Sequence, residues 1–267
     1  MKSNHIFVLN GPEPTPIQIF DGHVSKRPDL LTTHEEADVI IIQQVVHLAE
    51  SDSSSIIVVA DDTDVFVLLL HYYSKQHLTC QLILQGTIRG RTSVDIGKTV
   101  NKHGNTLSDI LEAHVLSGCD TVSCLWGMGK VTVVKILTTG MQLSKLGNLG
   151  ISMEEVISEA TKFVAACYGS PSLTDMTALR YSVWANKMAN QKLSSTPELQ
   201  ALPPTKEAFK EHVYRAHLQV AIWRAALDSD PPNLNPVHYG WSMDGVSNML
   251  VPIPLPLDVS PALLELL

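Results

Sequence analysis

The sequence predicts an α/β fold: a mainly parallel sheet flanked by helices, followed by a helical C-terminal region. Three observations predict it. Up to about residue 100, strand-patterned runs alternate with helix-patterned runs, the order that builds parallel sheets. Ile56-Ile57-Val58-Val59-Ala60 is a short, mostly β-branched apolar run, the pattern of a strand covered on both faces. Beyond residue 150 the apolar positions recur at helical spacing instead.

The elements follow in order. Ile6-Leu9 and Ile17-Phe20 read as short strands in a segment punctuated by Pro and Gly. Glu35 to Glu50 reads as a helix, with Thr33 able to cap it and Glu35, Glu36 and Asp38 suited to its positive end. A polar loop, Ser51 to Ser55, leads into the strand at Ile56-Ala60. Val65, Leu68, Leu69 and Tyr72 then recur as on a helix, and Leu78, Cys80, Leu82 and Leu84 alternate as on a half-buried strand. Residues 107–117 are predicted helical, with Gly118 breaking the pattern. Ser152-x-x-Glu155 is a capping box opening a helix toward Tyr168. Thr174 to Met188 and Thr205 to Leu227 are further helices, the latter with Phe209, Val213, Ala216, Val220, Trp223 and Leu227 as one stripe. The expected organisation is an α/β core over 1–140, N-terminally incomplete, a helical extension over 141–230, and a Pro-rich irregular tail over 231–267.

Composition limits the function. The 267 residues are 45% hydrophobic and 17% charged, which fits a globular chain with a real core. No apolar run reaches the roughly 18 residues that span a membrane. The N-terminus lacks the apolar stretch of a signal peptide. Cys80, Cys119, Cys124 and Cys167 have no zinc-type spacing and are expected as reduced thiols of an intracellular protein, with the nucleus as one location. The net charge of -8 argues against coating DNA by bulk electrostatics. It leaves room for a carboxylate cluster whose charge bound cations would offset.

Three acidic stations stand out. Asp62 and Asp64 follow the buried strand, and residues two apart on extended chain point the same way. Both can face the region beyond the strand's C-terminal end, where ligands collect in open α/β sheets. Asp61 points elsewhere and could cap the next helix. Glu36 and Asp38 open the preceding helix, although positions two apart on a helix do not share a face and Glu35 pairs better with Asp38. Asp120 follows Leu116-Ser117-Gly118-Cys119, where a turn or cap is the plain alternative. Gly127-Met128-Gly129-Lys130 then precedes an apolar run, and a Gly-x-Gly turn opening a helix exposes N–H groups that can hold a phosphate.

In order and spacing these pieces resemble flap endonucleases and their PIN-like relatives. Glu36-Ala37-Asp38 resembles their E-A-E/D motif, Ala60-Asp61-Asp62-Thr63-Asp64 their E-D-S-D station, and Leu116-Ser117-Gly118-Cys119-Asp120-Thr121 their L-L-G-C-D-Y. Gly127-Met128-Gly129-Lys130 falls where their duplex-gripping hairpin opens. The strings HEEAD, DDTDVF and LSGCDT also resemble a large, functionally unassigned group of animal proteins. The resemblance covers roughly residues 33 to 137. It implies a divalent-metal-dependent nuclease acting on DNA or RNA. Glu36, Asp38, Asp62, Asp64 and Asp120 would hold two Mg²⁺ or Mn²⁺ ions, and Gly127, Met128, Gly129 and Lys130 would meet the nucleic-acid backbone.

The departures from the family point to a second reading. No counterpart of the family's first Asp is visible, and Asp21, in Ile19-Phe20-Asp21-Gly22, is a thin match to the second. The basic and aromatic arch is missing, and Val131 and Thr132 follow Lys130 where the family carries a second basic residue. These losses bear on hydrolysis more than on fold. The alternative is a catalytically silent nucleic-acid-binding or protein-interaction module that keeps a PIN-like fold. A haloacid-dehalogenase-type phosphatase fits poorly, because Phe66 stands where that motif wants Thr or Val.

Overall fold

The computed structural model describes residues 6–9, 15–51, 55–88, 92–190, 198–228 and 231–253. Residues 52–54, expected as part of a loop, and the end of the Pro-rich segment, with Pro254, Pro256 and Pro261, lie outside them. The chain is α/β, with eight α-helices and three small sheets among the described residues. It divides into two compact units. The first comprises Met1–Lys102 with Trp223–Pro232, and the second His103–Ile222 with Asn233–Leu267.

The first unit opens with an antiparallel sheet of β1 (Ile6–Leu9), β2 (Ile17–Phe20) and β3 (His23–Lys26). The first two strands were expected; β3 was not. Asp21 and Gly22, both at positive φ, form the two-residue turn that pairs Phe20 with His23. Asp-Gly between alternating runs is a strong hairpin signal, so the sequence carried this strand in its turn. The match of Asp21 to a family acid thus falls on a hairpin tip.

Helix α1 (Ala37–Glu50) buries Val39, Ile42, Val45 and Val46. It starts two residues later than expected. Glu36, in extended backbone, is its N-cap, not Thr33, and its side chain makes no capping bond. Strand β4 (Ser55–Val59) leads to α2 (Thr63–Lys75), and β5 (Gln81–Gln85) pairs parallel to β4 in register Ile57 to Ile83. A short strand β6 (Val94–Asp95) then adds antiparallel to β5, and α3 (Ile96–His103) follows. Neither was expected, because β6 has only two residues and α3 carries only two large apolar residues, Ile96 and Val100. The sheet is therefore mixed, with one parallel and one antiparallel pairing among the described strands.

Strand β4 also departs from its expected environment. Ile56 and Val58 are buried, but Ile57 and Val59 are 60% and 59% exposed. A continuous apolar run predicts two covered faces; here one face packs on helices and the other is open.

The second unit is helical. It contains α4 (Ile110–Leu116), α5 (Lys130–Leu137), α6 (Met153–Cys167), α7 (Met176–Asn190) and most of α8 (Lys206–Arg224). Ser152 caps α6, its hydroxyl accepting the Glu155 N–H at 3.4 Å, as the capping box required. Phe209, Val213, Ala216 and Val220 of α8 are buried, while Leu227, expected as the stripe's last position, lies past the helix's end at Arg224 and is half-buried. The tail is less irregular than expected. Trp241–Met243 (β7) and Leu250–Pro252 (β8) form an antiparallel hairpin. Its proline stands at the end of an edge strand, where no ladder donor is required.

Candidate functional site

The acidic stations are divided between the units: Glu36, Asp38, Asp62 and Asp64 belong to the first and Asp120 to the second. In the first unit, β4 ends at Val59 and the chain turns into α2 over Ala60-Asp61-Asp62. Asp62 is the N-cap of α2, and its Oδ1 accepts the Asp64 N–H at 2.8 Å. That bond satisfies one of the helix's unpaired donors and places a negative charge at its positive end. Asp64 already lies in the first helical turn and is buried. The two carboxylates therefore do not continue a strand's alternation. Asp62 stays exposed while Asp64 turns inward, because the helix starts between them.

Asp61, expected as the cap, does other work. Its Oδ2 accepts the Thr87 N–H at 3.2 Å and the Thr87 hydroxyl, joining the chain beyond β4 to the chain beyond β5. Asp61 and Asp62 border a shallow cleft of about 190 Å³ with Phe66, Leu84 and Val94 in its lining. This cleft lies off the C-terminal ends of the parallel pair, the place where open α/β sheets hold ligands.

Glu36 stands just outside α1. Its Oε2 accepts the indole N–H of Trp223 at 2.8 Å. The backbone carbonyl of Trp223 in turn accepts the Tyr72 hydroxyl at 2.7 Å. Sequence reasoning missed this arrangement. Trp223 showed only as a stripe position, and nothing local marks a partner 187 residues away. Asp38 is half-buried in the first turn of α1, and Glu35 is exposed.

In the second unit, Asp120 is exposed at the tip of a tight turn closed by Cys119 and Val122, whose backbones bond at 2.9 and 3.2 Å. Gly118, at φ +115°, makes that turn possible. A Cβ there would stand 2.7 Å from the Cys124 Cα and 2.9 Å from its nitrogen. Gly118→Ala is therefore expected to cost about 2–4 kcal/mol, from backbone strain and overpacking. Thermal unfolding followed by circular dichroism would measure it; an unchanged midpoint would refute the account.

Lys130 also has structural employment. Its ammonium donates to the His114 carbonyl at 2.7 Å, to the Ser117 hydroxyl at 3.0 Å and to the Gly118 carbonyl. These groups lie at the C-terminal end of α4, where a cation is favoured. Gly127 turns the chain at positive φ, Met128 is buried, and Gly129 is the N-cap of α5. The Gly-x-Gly turn thus opens a helix as expected, while its lysine is bonded back to α4.

No family model, no curated protein and no solved structure matches this chain.

The ions that the resemblance implies need several carboxylates converging on one point. The donor type is right, since hard cations take oxygen. Among the described residues no group of three or more His, Cys, Asp or Glu side chains is gathered to hold a metal. Asp62 already spends an oxygen on its helix, and Glu36 one on Trp223. Cys80, Cys119, Cys124 and Cys167 form no disulfide. No helix among the described residues is long and apolar enough to cross a membrane.

Proposed function

We propose that this chain is a flap-endonuclease-like, PIN-type module in catalytically silent form. The observation that carries this reading is the employment of its acids. Asp62 caps α2, Asp61 ties two strand ends together, and Glu36 receives the Trp223 indole. Of the five carboxylates that the resemblance assigns to hydrolysis, Asp62 and Glu36 are bonded to protein groups. Lys130, the residue offered to nucleic acid, is spent in the same way.

The test is a nuclease assay with Mn²⁺ on flap, single-stranded and structured substrates. The chain is compared with its Asp62→Asn/Asp64→Asn double variant. The expected result is no cleavage by the unaltered chain above that of the variant. Metal-dependent cleavage that the variant loses would sink the silent reading.

That outcome would favour the second reading, a divalent-metal-dependent nuclease using Mg²⁺ or Mn²⁺ on DNA or RNA. One observation supports it: Asp61 and Asp62 border a cleft at the C-terminal ends of β4 and β5. Calorimetric titration with Mn²⁺ separates the two. The nuclease reading requires heat that the double variant lacks.

A further inference from the structure

Helix α7 has two apolar faces. Met176, Leu179 and Val183 are buried and hold the helix to its unit. On the opposite side, Tyr181, Trp184 and Met188 are 67%, 38% and 38% exposed. They stand at i, i+3 and i+7, with Ala185 filling i+4, which is the spacing of a seam that receives another helix. The buried face alone accounts for the helix being amphipathic. The outer stripe has no such explanation, and Tyr, Trp and Met are the residue types enriched where proteins meet partners.

Charge indicates the occupant. Over Met176–Asn190 the helix carries Arg180 and Lys187 and no acid, in a chain whose net charge is -8. With Tyr181 and Trp184 at the a and d positions of a heptad, Arg180 and Lys187 both fall at g, flanking the seam on one side. Arg180 is held there by donating to the Pro203 carbonyl. A second copy of this helix would bring cations to cations and no acid to either. The ring geometry disfavours nucleic acid. The Tyr181 and Trp184 centroids are 5.8 Å apart and the planes tilt by 33°, which leaves no parallel slot for a base between them.

We propose that the outer stripe of α7 is a docking surface for an acidic amphipathic helix of a protein partner. Tyr181, Trp184 and Met188 would fill the partner's apolar seam, and Lys187 would meet its flanking carboxylates. None of these residues belongs to the acidic stations, and the proposal stands whether or not those acids hydrolyse anything.

The experiment uses the full chain and a labelled peptide of about three heptads, with Leu at a and d and Glu at e and g. Fluorescence anisotropy is expected to show micromolar binding that weakens as salt rises. Trp184→Ser should weaken it roughly 10- to 30-fold, the loss that one aromatic anchor brings. Lys187→Glu should also weaken it and should shift preference toward the same peptide with Lys at e and g. Circular dichroism of both variants keeps folding out of the comparison. Three parallel samples replace the peptide with a labelled oligo-dT, with anionic phospholipid vesicles, or with the chain alone in sedimentation. The proposal is overturned if the acidic peptide fails to bind at roughly 1 mM, if Lys187→Glu leaves its binding unchanged, or if the stripe variants abolish oligo-dT, vesicle or self-association while peptide binding persists.

Discussion

Trp223→Ala is expected to lower the stability of the first unit by about 3–5 kcal/mol, the range for truncating a large buried aromatic. Trp223 is 2% exposed, its indole donates to Glu36 and its carbonyl accepts from Tyr72. Truncation removes the packing and the indole donor together. Trp223→Phe separates them. It keeps most of the volume and removes the indole N–H, so a smaller cost of about 1–3 kcal/mol is expected from the loss of this hydrogen bond to a carboxylate. Urea unfolding followed by far-ultraviolet circular dichroism would rank the two variants. If Trp223→Ala cost less than about 1 kcal/mol, the residue would not be the anchor described.

Lowering the pH from 7 to 5 is expected to destabilise the second unit. His212 is buried, and its Nε2–H donates to the Leu116 carbonyl at 2.8 Å. Burial, with a smaller contribution from Arg215, pushes its pKa down to about 4 from 6.5; the bond to Leu116 opposes the shift. The folded state therefore holds this ring neutral in a pH range where the unfolded chain protonates it. The resulting stability is fully present above pH 6.5 and is lost as the pH falls toward 4. From these values, about 2 kcal/mol should be gone at pH 5 relative to pH 7. His71, in the first unit, behaves alike: burial first, then Lys75 and Arg224, lower its pKa to about 4. His212→Gln can still donate to Leu116 but cannot titrate, so it should flatten the dependence between pH 6.5 and 4. Chemical unfolding at a series of pH values would show this. An equal slope in the variant would remove His212 as the cause.

The sequence made the elements more legible than their surroundings. Periodicity located α1, β4, α2 and β5 to within a few residues, because each has an apolar side that must be buried. The capping box located α6 from two polar side chains alone. Features decided by distant chain were not legible. The open face of β4 looked buried because Ile57 and Val59 are as apolar as Ile56 and Val58. The candidate site was legible as residue types and not as bonds. Asp62 and Asp64 were recognised as a pair, but the helix begins between them and turns one carboxylate inward. Asp61 was expected to cap a helix, yet it reaches Thr87 on the neighbouring strand's exit. Lys130 looked available because its acceptors at the end of α4 become visible only once the chain has turned at Gly118.

The order of the chain has a consequence for its birth. The first unit runs through Lys102 and then lacks Trp223–Pro232, which belong to it but follow 120 residues of the second unit. Tyr72 must wait for a partner 151 residues downstream. At ribosomal speeds of about 5–20 residues per second, that wait lasts roughly 8–30 s. Through this interval the emerging first unit has no Trp223 to hold Tyr72 or Glu36. A nascent chain in that condition is a natural client for chaperones, and a stall before the codon for Trp223 would leave the unit open to proteases.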